Sequence, residues 1–178
     1  GAPIWCEFRA GSATHHMDFD QGNLRIAAWD RVLLGDYCYH CHEPDGTSLP
    51  TTATWLHNAV VYSDNREATC GYTGLERAPE PLRVHLSEAF DWCVHRIVNT
   101  NLRPREHYRL LLPAPRTRHV RHYLFVKGDY VVLWDVFEEA HGPSTFWLHP
   151  TGPVEALGEG RFRAGPEGAP HLLVQFLL

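Results

Sequence analysis

A β-hairpin signature between residues 122 and 135 constrains the fold of this chain more than any other feature. Residues 122–126 and 130–135 are rich in β-branched and aromatic side chains, and Lys127, Gly128 and Asp129 separate them. Gly128 permits a tight turn, and both arms have the composition of strands. The segment therefore predicts two antiparallel strands joined by that turn.

Short segments of strand-like composition recur along the rest of the chain, between turns rich in glycine and proline. They cover residues 4–9, 23–28, 32–34, 57–62, 105–112, 145–149, 161–163 and 171–177. Residues 77–100 fit two strands, which we favour because the rest of the chain is β, but a short helix near residues 82–98 is the alternative. Many short strands with such turns predict an all-β fold, either a sandwich or a barrel.

Length and charge limit the classes of function. At 178 residues the chain is one domain or part of a longer chain, and it needs neither a disulfide nor a metal merely to fold. The net charge is −5, yet six Arg and one Lys are concentrated in residues 101–127 against a single acid. Such a segment is typical of a solvated face or of a site for anionic groups. Nothing in the sequence resembles a nucleic-acid-binding module or a membrane span, so we expect neither kind of partner.

The five cysteines are an odd number, which argues against a complete disulfide framework. Cys38 and Cys41 form a C-x-x-C motif beside His40 and His42, a spacing that can bind zinc or act in redox chemistry. The sequence lacks a second C-x-x-C pair. We therefore favour thiols in a reducing compartment, or one disulfide if the protein is secreted.

Residues 14–57 contain a concentration of histidine and aspartate side chains. The candidate ligands there are His15, His16, Asp18, Asp20, Asp36 and His57. Imidazole nitrogen and carboxylate oxygen bind zinc-like and iron-like divalent ions. On a strand, His16 and Asp18 would share a face, and with His57 they would form the facial triad of a β-barrel iron oxygenase. One alternative function is therefore a cupin-like Fe(II)/2-oxoglutarate oxygenase.

Three motifs stand out in the chain. In order they are HMDFDQGNLRIAAWDRVLLGD, WLHNAVVYSD and RHYLFVKGDYVVLWDVFE. Together they resemble the β-sandwich domain of the heparinase II/III family of polysaccharide lyases. That family has a pattern like H-x-H-x-D-x-G-S-F before an apolar strand, and Gly22 matches its glycine. An Asp that closes a hairpin and a later H-N pair follow, and Asp36 and His57 match them. The last block has an Arg before a strand–Gly turn–strand that ends in Asp, which Arg121 and Asp135 match.

The resemblance implies a single β-sandwich domain over residues 1–178 and assigns roles to particular side chains. His16 would line the active cleft as the catalytic residue. A structural zinc, or another divalent ion, would be bound by Asp18, Asp36 and His57. Asp18 stands where the family has a histidine, and in an alternative register His16 would be the ligand. If no metal binds, Asp36 and His57 would instead form a buried hydrogen bond.

An acidic polysaccharide is the substrate that the resemblance implies. A uronate lyase neutralises the sugar carboxylate, removes the C5 proton and protonates the leaving glycosidic oxygen. Arg121 and Tyr37 are the candidate substrate-binding residues. In the family, the catalytic Tyr and its His or Asn partner come from an α/α-toroid domain that precedes the β domain. We therefore predict a fragment of a longer chain, with little or no activity apart from that helical domain.

Two further expectations accompany the lyase assignment. The family resemblance favours a periplasmic or secreted protein, although the odd cysteine count also allows a cytoplasmic one. The third alternative function, beside the lyase and the oxygenase, is a non-catalytic glycan-binding or structural β module.

Overall fold

The computed structural model describes residues 3–9, 22–36, 54–62, 81–98, 118–139, 142–166 and 168–177. Within these ranges the strands are β1 Ile4–Phe8, β2 Leu24–Ala28, β3 Arg31–Leu34, β4 Val60–Tyr62, β5 Pro81–Leu86, β6 Phe90–Val98, β7 Arg118–Val126, β8 Tyr130–Glu139, β9 Ser144–Phe146, β10 Val154–Gly158, β11 Arg161–Ala164 and β12 Leu172–Gln175. A short 3-10 helix, Thr54–Leu56, precedes β4. In this part of the chain, no helix has the length and apolarity needed to cross a membrane.

The described strands form four antiparallel sheets. Their orders are β1-β2-β3, β5-β6-β7-β8, β4-β9 and β10-β11-β12. The predicted hairpin is present as β7 and β8, which pair from Val126 opposite Tyr130 to Arg118 opposite Glu139. The all-β, sandwich-like fold that the sequence predicts is therefore confirmed.

The main core lies between the β1-β2-β3 sheet and the four-stranded β5-β6-β7-β8 sheet. On β2, Leu24 and Ile26 are buried while Arg25 between them is exposed, because successive side chains of a strand point to opposite faces. They pack with Tyr123 and Phe125, which point inward from β7. Burial of such side chains contributes about 1.5–3 kcal/mol each, so this interface stabilises the fold.

Residues 77–100 contain two strands, and the alternative of a short helix near residues 82–98 is wrong. β5 pairs with β6, and β6 pairs along its whole length with β7. Val94, His95 and Ile97 are buried in β6, whereas every residue of β5 is exposed. The apolar spacing that also fits a helix arises because both faces of β6 contact other side chains, so its apolar residues do not simply alternate.

Other boundaries also differ from the prediction. The strand predicted over residues 145–149 is β9, Ser144–Phe146, and residues 147–149 are not part of it. The strand predicted over residues 57–62 begins only at Val60, because residues 57–59 bend and the Ala59 amide donates to the His57 carbonyl at 2.8 Å. β10 was not predicted at all, since its sequence VEALG has no alternating apolar pattern. The predicted strand at residues 105–112 and the predicted loop at residues 37–52 lie outside the described residues.

Gly22 joins the two halves of the sandwich. Its φ is +75°, and a Cβ at this position would lie 2.7 Å from Cδ1 of Ile97 and 3.4 Å from Nη1 of Arg121. A side chain would therefore clash with β6 and strain the backbone at once. The glycine of the first motif is required by this close approach.

Candidate functional site

Asp36 and His57 form a buried pair at the end of the first hairpin. Asp36 lies two residues after β3, and His57 follows the 3-10 helix. Nδ1 of His57 lies 2.7 Å from Oδ1 of Asp36, and the imidazole is fully buried. The second carboxylate oxygen accepts a hydrogen bond of 2.6 Å from Nδ2 of Asn23. Both oxygens of Asp36 are therefore held in fixed directions.

Asn58 connects this pair to the surrounding backbone. Its amide N–H donates to Oδ1 of Asn23 at 3.0 Å, and its side-chain Nδ2 donates to the carbonyls of Leu24 and Gly35. Its Oδ1 accepts the backbone N–H of His149 at 2.7 Å. These contacts satisfy backbone groups that would otherwise belong to a strand, which explains why β4 begins after Asn58.

His149 is a site residue that the sequence did not reveal. Its Nε2 donates to the carbonyl of Trp55 at 2.9 Å, so this nitrogen carries the proton of the neutral ring. Its own carbonyl accepts from the Gly35 amide at 3.1 Å, which places it beside the end of β3. Burial lowers the pKa of His149, and the nearby Asp36 carboxylate opposes that shift. An isolated histidine in a strand-like segment has no spacing signal, so only the packing identifies it.

A second buried polar cluster lies on the core face of β7 and β8. Arg121 donates from Nε to Oδ1 of Asp135 at 2.6 Å and from Nη2 to Oδ2 at 2.9 Å, a bidentate ion pair. His119 also contacts Oδ1 of Asp135, through Nε2 at 2.7 Å. Burial alone would raise the pKa of Asp135, but the hydrogen bonds from His119 and Arg121 and the Arg121 charge hold it well below its usual value.

His95 completes this cluster from β6, where it lies opposite Arg121. It is fully buried, and within the described part of the chain neither ring nitrogen has a hydrogen-bond partner. Burial, and to a lesser extent the charges of His119 and Arg121, lower its pKa to about 4. His95 is therefore held neutral in a cluster that is otherwise strongly charged.

Arg121, a predicted substrate-binding residue, has a structural environment. It is fully buried, Nη1 donates to the Gly22 carbonyl at 2.6 Å, and the guanidinium lies 4.7 Å from the ring centroid of Phe146. The contacts described for the Arg121 guanidinium are thus all with groups of the protein. The described contacts therefore favour a role in holding Gly22, and a contact between Arg121 and substrate stays a prediction without support from them.

The structure brings together Asp36 and His57, as the sequence predicts for a common site. His16, Asp18 and Tyr37 lie outside the described residues, as do His15, Asp20 and the C-x-x-C motif. Among the residues that are described, no three His, Cys, Asp or Glu side chains are grouped closely enough to hold a metal ion. The zinc site therefore stays a prediction.

In the described structure Nδ1 of His57 and Oδ1 of Asp36 share a proton, so both side chains could bind one ion only if the metal took the place of that proton. The same contact is also the buried hydrogen bond expected if no metal binds.

Cys6 and Cys93 are free thiols on strands of the core, and burial raises the pKa of each.

Two clefts adjoin the described strands. A small one of about 40 Å³ lies beside the pair and is lined by Glu7, Arg9, Asn23, Arg25 and Asp36. A larger one of about 270 Å³ lies between β3 and the residues around Gly165 and contains none of the predicted site residues. The small cleft gives Asp36 a polar surrounding with two arginines nearby.

Two comparisons with known proteins gave no match. No protein-family model matches the chain, and no curated protein matches it. Function is therefore inferred from the residues of the site and from their contacts.

Proposed function

We propose that this chain is the β-sandwich part of a polysaccharide lyase of the heparinase II/III type, which cleaves uronic-acid-containing glycans by β-elimination. The observation that carries the proposal is the contact of 2.7 Å between Asp36 and His57. These residues belong to two separate motifs of the resemblance. A contact between them is what a site shared by both motifs requires.

The described contacts also connect this pair to the segment that contains His16. That segment leaves β1 at Arg9 and returns at Gly22, and its base is closed by the Gly22 amide donating to the Arg9 carbonyl at 2.9 Å. The Arg9 amide in turn donates to the Asn23 carbonyl at 3.0 Å, and the Asn23 side chain holds Asp36. One residue thus joins the base of the His16 segment to the Asp36–His57 pair.

In the proposed reaction the chain contributes positioned polar groups. The C5 proton must be removed next to a neutralised carboxylate, and the leaving oxygen must gain a proton. We assign His16 to the cleft where these steps occur. The remaining acid–base groups would come from a helical domain of the same protein. Arg121 would support the cleft indirectly, because it holds Gly22 at the base of the His16 segment.

A divalent ion, zinc in this proposal, would be held by Asp18, Asp36 and His57. When bound it would supply structural support and not the Lewis acid of the reaction. The described contacts of the Asp36 carboxylate are with an amide and an imidazole. A cation bound there would interact favourably with the negative charge of the carboxylate. The chain's own residues would then keep both ends of residues 37–56 beside the His16 segment.

The test is an assay of the full-length protein with several uronic-acid polysaccharides. We expect an ultraviolet absorbance increase from the unsaturated uronate product, and no increase with the same polysaccharides after chemical reduction of their carboxyl groups. The carboxyl-reduced substrates control for other modes of cleavage.

Two results would contradict the proposal. The first is an absence of unsaturated product from every uronate tested, although the protein is folded and contains its metal. The second is consumption of 2-oxoglutarate with iron, which would assign His16, Asp18 and His57 to an oxygenase instead. His16→Ala should abolish product formation in the full-length protein, whereas Trp5→Ala, on an exposed position of β1, should not.

A further inference from the structure

The outer face of the four-stranded sheet carries a row of aromatic rings. Trp92 and His122 are near-parallel, with ring centroids 6.2 Å apart and an interplanar angle of 19°. His122 and Trp134 lie directly opposite each other on β7 and β8, with centroids 5.0 Å apart and an angle of 28°. We call Trp92, His122 and Trp134 the aromatic row; it crosses three adjacent strands.

The row lies on the face opposite to the buried Arg121 cluster. His122 stands between Arg121 and Tyr123 in β7, so strand alternation points it away from the core. Trp134 is 63% exposed, and Tyr130 and Val132 on the same strand and face are 52% and 40% exposed. Nearer the middle of this face Val94 and Val120 are buried, so Tyr130, Val132 and Trp134 form an exposed apolar patch on β8, the edge strand of the sheet. An exposed apolar patch of this kind marks an interaction site.

Basic groups lie next to the aromatic row. The guanidinium carbon of Arg83, on β5, lies 5.3 Å from the ring centroid of Trp92. Arg96 on β6 is exposed on the same face, and His85 of β5 is opposite Trp92. Glu138 follows Phe137 near the end of β8, where a register shift between β7 and β8 interrupts the alternation of faces. The centre of the face therefore combines aromatic rings with positive charge in a protein whose net charge is −5.

We infer that this face binds a chain of acidic polysaccharide. Sugar rings have apolar C–H faces that pack against exposed aromatic rings such as Trp134, and their carboxylates or sulfates would pair with Arg83. A single-stranded nucleic acid also stacks on aromatic rings and pairs with basic side chains, so binding of poly(dT) is an outcome that the experiment has to distinguish. The choice of a glycan rests on the proposed function, whereas the choice of an anionic ligand with stackable rings rests on the surface itself.

The experiment measures affinity electrophoresis of the full-length protein in gels that contain alginate or heparin, with dextran as the neutral control. We expect Trp134→Ala to weaken retardation by the acidic polymer about tenfold, the change that 1.4 kcal/mol of binding free energy produces. Trp5→Ala is the matched control, because Trp5 is also an exposed tryptophan (53%) but lies on β1, in a different sheet from Trp134. Arg83→Gln should reduce the dependence of retardation on salt, since screening acts on the charge it removes.

Each other result decides against the inference. Equal retardation of Trp134→Ala and Trp5→Ala would overturn it, as would stronger retardation by dextran or by poly(dT) than by the acidic glycans. A change of oligomeric state in sedimentation on Trp134→Ala would assign the face to a contact between copies of the chain. The inference separates from the lyase proposal: if no lyase activity is found but Trp134→Ala still loses acidic-glycan binding, the proposed catalysis fails and the binding face stands. In an active enzyme, Trp134→Ala should leave cleavage of a short uronate oligosaccharide unchanged.

Discussion

Among the described residues, two aspartate–histidine pairs have the same oxygen–nitrogen distance and different surroundings. In each, a carboxylate oxygen lies 2.7 Å from an imidazole nitrogen, and the imidazole is fully buried. The Asp36–His57 pair joins two loops and is completed by the amide of Asn23. The Asp135–His119 pair joins two paired strands and is completed by the guanidinium of Arg121.

The difference lies in where the charge of each carboxylate is balanced. Asp135 has a permanent cation in a bidentate contact, so its charge is already compensated inside the fold. The hydrogen-bond partners described for Asp36 are an amide and an imidazole, and Arg9 and Arg25 line the same cleft, so a bound cation would share this carboxylate with them. The same pair of side chains is therefore structural in one place and a candidate ligand site in the other.

The largest expected effect is that of Asp135→Ala. The substitution leaves Arg121 buried without its carboxylate, which costs about 3–5 kcal/mol of unfolding free energy in comparable pairs. Asp36→Ala, measured with a chelator present, should cost about 1–3 kcal/mol, because the amide and imidazole that it leaves unsatisfied carry no permanent charge. Urea unfolding at neutral pH measures both.

Glu7→Gln is the control for the loss of an ion pair as such. Its contact with Arg25 at 3.1 Å is exposed on both sides, so removal should cost less than about 1 kcal/mol. If Asp36→Ala were as destabilising as Asp135→Ala in the metal-free protein, the distinction between the two pairs would be lost.

Acid should destabilise the Arg121 cluster through His95. The pKa of His95 is about 4 in the folded protein, against 6.5 when it is unperturbed. Between pH 6.5 and pH 4 His95 is protonated in the unfolded chain but not in the folded protein. The contribution of His95 to the unfolding free energy is therefore fully present above pH 6.5 and decreases as the pH falls toward 4. The loss over that interval is about 3 kcal/mol, from 1.36 kcal/mol per pH unit.

Unfolding by urea across pH 4.5–7 measures this slope, and His95→Leu should flatten it. The pKa values of His119 and His149 are also lowered by burial, so part of the slope should remain in the variant. A slope identical in His95→Leu and the unaltered protein would show that His95 is not held neutral by its surroundings.

Much of the fold could be predicted because its signals are local. The hairpin of β7 and β8 follows from two β-rich segments around Gly128, and the β2–β3 hairpin from two apolar segments around Trp29 and Asp30. The bend at residues 57–59 could not be predicted. The Asn58 side chain donates to carbonyls of β2 and Gly35 and accepts from the His149 amide, and all of these groups are distant in sequence. Local propensity contains no information about such partners.

The candidate site could be predicted only where a motif or a register reveals it. Asp36 and His57 were found through motifs, and they are in contact. The pairing of Arg121 with Asp135 could have been derived, since a turn that places Val126 opposite Tyr130 also places these residues opposite each other. The surroundings of His95 and His149 could not be predicted, because they come from elements whose packing the sequence does not specify.

The smallest and most discriminating effect concerns His16, compared with His57. If a divalent ion is bound by Asp18, Asp36 and His57, it stabilises the folded protein by RT ln(1 + [L]/Kd), about 2.7 kcal/mol at a hundredfold excess over Kd. His57→Ala removes a proposed ligand and the contact with Asp36, so it should lower the melting temperature and abolish the effect of a chelator.

His16→Ala should change the unfolding free energy by less than about 0.5 kcal/mol, because in this assignment His16 faces substrate and binds no metal. It should nevertheless abolish lyase activity in the full-length protein. His171→Ala, at an exposed histidine after β11, controls for the loss of a histidine as such and should change neither. Elemental analysis of untagged protein, with melting measured before and after chelation, completes the comparison.

Equal destabilisation by His16→Ala and His57→Ala would exchange the two roles, since it would make His16 a ligand in the alternative register. Melting that is unchanged by chelation would leave Asp36 and His57 as a buried hydrogen bond and nothing more.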